Sequence, residues 1–186
     1  HAKGHTGSSI RRLDGLQKVN GTEQFGDDIA PINTLVIRVI RSPFHRAVFH
    51  FGDLEAWVKG TPGIETVLTC ADVKGENCFG VIPPFADQPV FAESEARFRG
   101  EAVAAIVGAA STIENFDESG FPVVWEERSP SMTIFEAMKK DAPLLHEHRH
   151  GNVMCGGFVN RGVPDDRLKN SDATVEGHFS TSFVEH

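Results

Sequence analysis

Five consecutive residues, His146-Glu147-His148-Arg149-His150, are the one cluster in this sequence with metal-ligating side chains at regular spacing. On a strand, positions i, i+2 and i+4 share a face, so His146, His148 and His150 could present three imidazoles together. The same extension separates successive rings by roughly 6.5–7 Å, awkward for one small ion. No carboxylate is placed to orient the rings from behind. A solvated connector is the favoured reading, and a metal site is the minority one. The acidic pairs Asp27-Asp28, Glu126-Glu127 and Asp165-Asp166 are adjacent in sequence and point apart on strands, whereas acid–base catalysis needs convergence. GxSxG, Walker and GxGxxG patterns are all absent. No catalytic or cofactor-binding residue is assigned, and His146, His148 and His150 are the only candidate metal ligands.

Cys70, Cys78 and Cys155 are odd in number and lack CxxC spacing. That disfavours a disulfide framework or a four-cysteine metal site, and fits a reducing compartment such as the cytoplasm. Buried or half-buried free thiols are expected. The chain has 14 Phe and no Tyr, so no phenol is available for proton transfer. A net charge of −8 without a basic stripe argues against a nucleic-acid surface. Apolar runs fall well short of the roughly 20 residues that span a bilayer. The N-terminus has no apolar core of a signal peptide, and it starts with His rather than Met. With 186 residues, 40% apolar and 24% charged, the chain is an ordinary globular one of α+β type.

The elements that would position such residues centre on Glu93 to Glu127. Ala102 to Val107 is an unbroken apolar run, which predicts a strand covered on both faces. A short Ser/Thr-led helix follows, then a strand over Pro122–Glu127. Upstream, Thr34–Arg41 and Ala47–Phe51 read as strands, with His45 and His50 exposed at the ends of the second. Asp53 caps a helix over Leu54–Lys59 whose Leu54, Trp57 and Val58 form the buried stripe, with Gly60 and Pro62 ending it. Ile64–Thr69 is a strand and Ala71–Lys74 a turn of helix. Residues 75–92, punctuated by Gly and Pro83-Pro84, predict an irregular loop with a functional or interface role.

At the N-terminus, residues 1 to about 12 are expected to be mobile or draped. Residues 12–29 read as an extended arm rather than a helix, anchored by Leu13, Leu16, Val19, Phe25 and Ile29. Asn20-Gly21-Thr22 fits a glycosylation sequon, but a tight turn is the favoured reading. Ser131 is expected to cap a helix over Met132–Lys140 that buries Ile134, Phe135 and Met138. A Gly- and His-rich connector runs from Asp141 to Pro164. Ala173 to His186 alternates as a strand and stops within the pattern.

Seven stretches in order resemble one family. They are Arg12 to Thr22 with Phe25-Gly-Asp-Asp28, Arg41-Ser-Pro-Phe-His-Arg-Ala47, Pro62 to Thr69 with Ala71-Asp72, Arg97-Phe-Arg-Gly-Glu-Ala-Val-Ala-Ala105, Leu145-His-Glu147, Gly151-Asn-Val153, and Thr174-Val-Glu-Gly-His-Phe179. Each is weak alone, and together they cover about residues 11–186. The chain resembles the N-terminal part of the molybdenum-cofactor large subunit of the xanthine dehydrogenase/aldehyde oxidase family.

The resemblance implies an arm over residues 1–17 and an α/β-hammerhead domain over 18–128, a mixed sheet with two or three short helices. It further implies a connector with one helix over 129–164, and over 165–186 the first strand of a truncated molybdopterin-binding region. It implies a parent enzyme that oxidises an aldehyde or N-heterocycle with water as oxygen source. Molybdopterin with molybdenum, 2Fe–2S clusters, and FAD or another acceptor would serve that enzyme. The family's cofactor loop, its Gln near the metal and its Glu base belong to later sequence, so none is carried onto a residue here. The implied partners are the rest of the large subunit and the iron–sulfur and flavin domains or subunits, in an oligomeric enzyme. This stretch would then be scaffold and interface, inactive when isolated. The chain departs from the family over Ile113–Gly120, where a shorter or less well packed helix is expected, and Phe25, Phe98 and Phe121 stand where Tyr is frequent. A stand-alone, non-catalytic module of the same fold is the alternative reading, and a histidine-cluster metal protein a distant third.

Overall fold

Runs of β-branched and aromatic residues bounded by Pro and Gly become strands. The computed structural model describes residues 6–182 and 184, and divides the chain after Pro130 into two compact units, each taken by itself. In the first unit, β1 (Leu35–Arg41) is halted by Ser42-Pro43 and followed by β2 (Ala47–Phe51). Next comes α2 (Leu54–Gly60), numbered after the N-terminal helix α1 (Gly15–Asn20) described below. The Asp53 carboxylate accepts the Ala56 N–H at 2.9 Å, and Leu54, Trp57 and Val58 pack on the core as expected. β3 (Ile64–Leu68) leads into a 3-10 turn over Cys70–Asp72, a tighter and earlier turn than the expected 71–74. The stretch from Glu93 to Glu127 resolves into β4 (Glu95–Ala96), β5 (Ala102–Ala109), α3 (Ala110–Glu114) and β6 (Val123–Glu127).

The α+β reading is right, and the expected mixed sheet is corrected. Among the described residues there are two three-stranded sheets, ordered β1-β5-β3 and β4-β2-β6, and every pairing is antiparallel. The chain passes between the sheets five times, and two of those links, Ser42–Arg46 and Arg97–Glu101, are too short for the helical crossover that parallel neighbours need. One hydrophobic cluster draws on both sheets: Ile40, Ile64, Ala104 and Ile106 from the first, Phe49 and Ala96 from the second, with Ile113 of α3 and Phe121. An aromatic string runs through it, Phe49 to Trp125 at 5.4 Å and Trp57 to Phe121 at 5.3 Å between ring centres. The Trp57 indole N–H donates to the Gly120 carbonyl at 3.0 Å. Phe121 is buried there, where a tyrosine hydroxyl would need a partner. The short helix α3 is well packed through buried Ile113 despite its atypical sequence. Close approach of β3 to β5 depends on Gly108, since a Cβ there would lie 2.3 Å from the Gly63 carbonyl oxygen.

Two expectations in this unit fail. Residues 12–29 are not an extended arm: α1 spans Gly15–Asn20 and a 3-10 turn spans Gly26–Ile29. Lys18 pairs with Asp14 at 2.7 Å one turn back, and Gly21, left-handed at φ 74°, returns its N–H to the Gln17 carbonyl. The intended anchors Leu13, Leu16, Val19, Phe25 and Ile29 are exposed. Asn20 Oδ1 accepts from both the backbone N–H and the hydroxyl of Thr22, the tight turn expected of that triplet. Residues 1–5 of the expected mobile segment lie outside the described residues, and 6–12 form turn and coil.

The second unit is sparse in regular structure. Its first helix, α4, covers only Ile134–Ala137, and Thr133 rather than Ser131 caps it. Thr133 accepts the Glu136 N–H while the Glu136 carboxylate accepts the N–H groups of Met132 and Thr133. Those backbone bonds hold the Glu136 carboxyl below its usual range, so the cap is complete above the ordinary glutamate pKa and is lost on acidification through the depressed one. Ile134, Phe135 and Met138, expected to be buried, are exposed. A helix α5 (Pro164–Lys169) was not expected, although Pro at its start, acids in the first turn and bases in the last announce it. Ala173–His186 is not a strand at any described residue, because a strand needs a hydrogen-bonded neighbour and none is there; residues 183, 185 and 186 lie outside the described residues. No helix among the described residues is long and apolar enough to cross a membrane.

Candidate functional site

The histidine stretch is a turn, not a strand. The Arg149 N–H donates to the His146 carbonyl at 3.0 Å, and the rings of His146 and His148 meet edge-on at 5.7 Å. His148 and His150 line an open hollow of about 500 Å³ with Arg149, Gly151 and Val153. Among the described residues, no three His, Cys, Asp or Glu side chains are grouped to hold a metal ion. The fold here follows Asn152 instead, which closes the segment on itself. Its Oδ1 accepts the Leu145 N–H at 2.9 Å, and its Nδ2 donates to the carbonyls of Ala137 and Pro143. A chain wound around one amide cannot hold the extension that three convergent imidazoles require. Asn152→Ala removes all three bonds and should lower the local opening free energy by about 1.4 kcal/mol, a roughly tenfold faster amide exchange at Leu145. An unchanged exchange rate would show that Asn152 does not hold the turn.

The acidic pairs do not converge either. Asp28 accepts the Phe25 N–H, Glu126 pairs with Arg128 on the surface, and Asp165 with Asp166 occupies the first turn of α5. His45 and His50 are exposed, as expected at strand ends. All three thiols are free: Cys70 and Cys78 are half-buried, but Cys155 is exposed, against expectation, in a segment with no regular structure over it.

The most tightly organised polar group lies elsewhere, where the two short inter-sheet links, Ser42–Arg46 and Arg97–Glu101, run side by side. Gly100 (φ 95°) turns the chain between β4 and β5, and its N–H donates to the Ser42 carbonyl at 2.8 Å. The Ser42 N–H returns a bond to the Glu101 carbonyl at 2.9 Å, and Arg41 Nη1 donates to the Gly100 carbonyl at 2.7 Å. Ser42 Oγ bridges to Phe44 of its own link, accepting its N–H and donating to its carbonyl. The Glu101 carboxylate, 2% exposed, accepts the Arg97 backbone N–H and pairs with the Arg97 guanidinium at 2.7 Å. A buried carboxylate needs such company. The interlocked turns clamp the two sheets together through the Arg41–Ala47 and Arg97–Ala105 stretches. Sequence reading found both as family signatures and missed the physical role, whose signal was a charge set directly against an apolar run. Their arrangement joins the two sheets.

The loop over residues 75–92 is irregular, as expected. It is pinned by an Asn77–Phe91 pair of bonds, a bridge from Phe79 to Gln88 and a 3-10 turn at Pro83–Phe85. Phe79, Val81 and Ile82 project from it into solvent.

No protein-family model matches the chain. It is 29% identical over 166 residues to a probable xanthine dehydrogenase subunit of Bacillus subtilis, covering 89% of this chain and 22% of that one. It is 27% identical over 180 residues to the nicotinate dehydrogenase large molybdopterin subunit of Eubacterium barkeri, covering 97% of this chain and 41% of the relative. The chain therefore spans well under half the length of these curated relatives. Its backbone superposes on the aldehyde oxidoreductase of Desulfovibrio gigas with a TM-score of 0.63, over 73% of this chain and 16% of that one, at 23% identity. That likeness is one of fold. Sequence relatives and backbone agree: the chain is similar to molybdenum hydroxylases of the xanthine dehydrogenase/aldehyde oxidase kind.

Proposed function

We propose that this chain is a scaffold and interface segment of a molybdenum hydroxylase large subunit. The observation that carries the reading is coverage: relatives named for xanthine and nicotinate dehydrogenation match 89% and 97% of the chain, with the signature stretches in order. The parent enzyme would oxidise an aldehyde or an N-heterocycle with water as oxygen source and pass electrons through 2Fe–2S clusters to FAD or another acceptor, in the cytoplasm. Bound molybdopterin would supply the oxygen-transfer chemistry. The residues described here offer no grouping of metal ligands for it, and no step of the reaction is assigned to them.

Within this reading, residues 18–128 are the hammerhead domain, 1–17 an arm before it, 129–164 a connector, and 165–186 the start of the molybdopterin-binding region. The two clamped sheets hold the shape, while the 75–92 loop and the connector, which present apolar side chains to solvent, meet the other domains or subunits. The isolated chain should be inactive. Assayed with purines and aldehydes in the presence of molybdopterin, it is expected to give no turnover; reproducible turnover would overturn the scaffold assignment.

A further inference from the structure

The two sheets differ in a way that composition alone does not explain. In the sheet β4-β2-β6, the residues facing the core are Phe49, Phe51, Val123 and Trp125, and the opposite face carries His50, Glu126 and exposed Val124. That is the alternation of an antiparallel sheet with one wet face. In β1-β5-β3 the core face carries Val36, Ile40, Ala104, Ile106 and Val67. By register, its opposite face carries Leu35, Ile37, Val39, Val107, Ala109 and Leu68, with Thr66 and the bulged Glu65 as the polar residues at its β3 margin. Ala105, at one end of this face, is buried, and Val103 at the register shift joins the core. Toward the other end the covering stops, leaving Ile37 59% and Leu35 48% exposed. A sheet whose central and β1 strands are apolar on this second face is built to be covered on both.

The bare part is three strands wide and about four residues long, roughly 200 Å² of planar area. A stable bimolecular interface needs about 800 Å² per partner, so neither a second copy nor a free protein would be held by this face alone. A cover on the same polypeptide avoids most of the association entropy, and the B. subtilis relative carries most of its length outside the matched segment. The geometry points to this face as the seat of an uncharged, apolar surface belonging to the rest of the large-subunit polypeptide. The inference rests on the scaffold reading above and adds to it a named surface.

The test places Ile37→Lys in two backgrounds, the 186-residue chain and the polypeptide encoded by the parent gene, with melting temperature and molybdenum content measured in each. In the 186-residue chain the lysine should leave Tm within about 2 °C, since exposed edge positions tolerate charge. In the parent polypeptide it should lower Tm by at least about 5 °C, because the ammonium is then buried. Ile37→Val, which keeps the face apolar, should be silent in both. Equal small effects in both backgrounds would overturn the proposal. So would a comparable loss in the 186-residue chain, which would place the cover within it. A concentration-dependent dimer dispersed by Ile37→Lys would make the occupant a second copy and equally overturn it. A parent polypeptide that shows the differential Tm but binds no molybdenum would uphold the surface and refute the enzyme reading.

Discussion

Replacing Ile106 by alanine is expected to remove about 3–4 kcal/mol of stability from the first unit. Ile106 is fully buried at the middle of β5, the central strand of its sheet, opposite Arg38 on one side and Val67 on the other. With strands bonded on both sides of β5, the backbone has little freedom to collapse around a deleted side chain, so the cavity persists. Ile106→Val, one methyl smaller, should cost about 1 kcal/mol. Denaturant unfolding reads both, the midpoint shifting at constant m-value. A loss below about 1 kcal/mol for the alanine variant would mean that the core does not run through β5.

The second large effect belongs to the clamp. Glu101→Leu should destabilise the unit by about 3 kcal/mol, because it removes the buried carboxylate that both pairs with the Arg97 guanidinium and accepts the Arg97 N–H. The double variant Arg97→Met with Glu101→Leu should recover more than half of that loss, since it removes both charges and leaves only the backbone N–H of residue 97 without the carboxylate. Additive losses in the double variant would show that the two residues act separately and that the pair is not what joins the links.

The parts of the fold that sequence made legible are those where local chemistry and burial agree. Ala102–Val107 could only be a covered strand, and Asp53 with Leu54, Trp57 and Val58 could only be a capped, one-sided helix. Reading failed where a segment's pattern presumes a partner. Ile134, Phe135 and Met138 have helical spacing, and Val175, Gly177 and Phe179 have strand spacing, yet none is buried within its own unit. Periodicity reports which face is meant to be covered, not whether the cover lies within the chain. The same gap explains the anchors of residues 12–29, whose apolar side chains find no core while helix formation follows from Gly21 and the Asp14–Lys18 pair.

The candidate site divides similarly. His146, His148 and His150 drew attention by residue type, but a single asparagine two residues on decides the backbone there, and side-chain-to-backbone bonds of that range leave no periodic trace. Glu101 was read as part of a family signature. Its burial follows from lying between the turn at Gly100 and a strand buried along most of its length, which only the paired links reveal.

The central claim is that this segment stands in a molybdenum hydroxylase without supplying the chemistry. The most direct test is mass spectrometry of the intact parent polypeptide purified from its source, with metal analysis of the same sample. A polypeptide extending past residue 186, carrying stoichiometric molybdenum and a releasable pterin, is the expected result. A gene product that ends there, with no molybdenum in any complex it forms, would contradict the account.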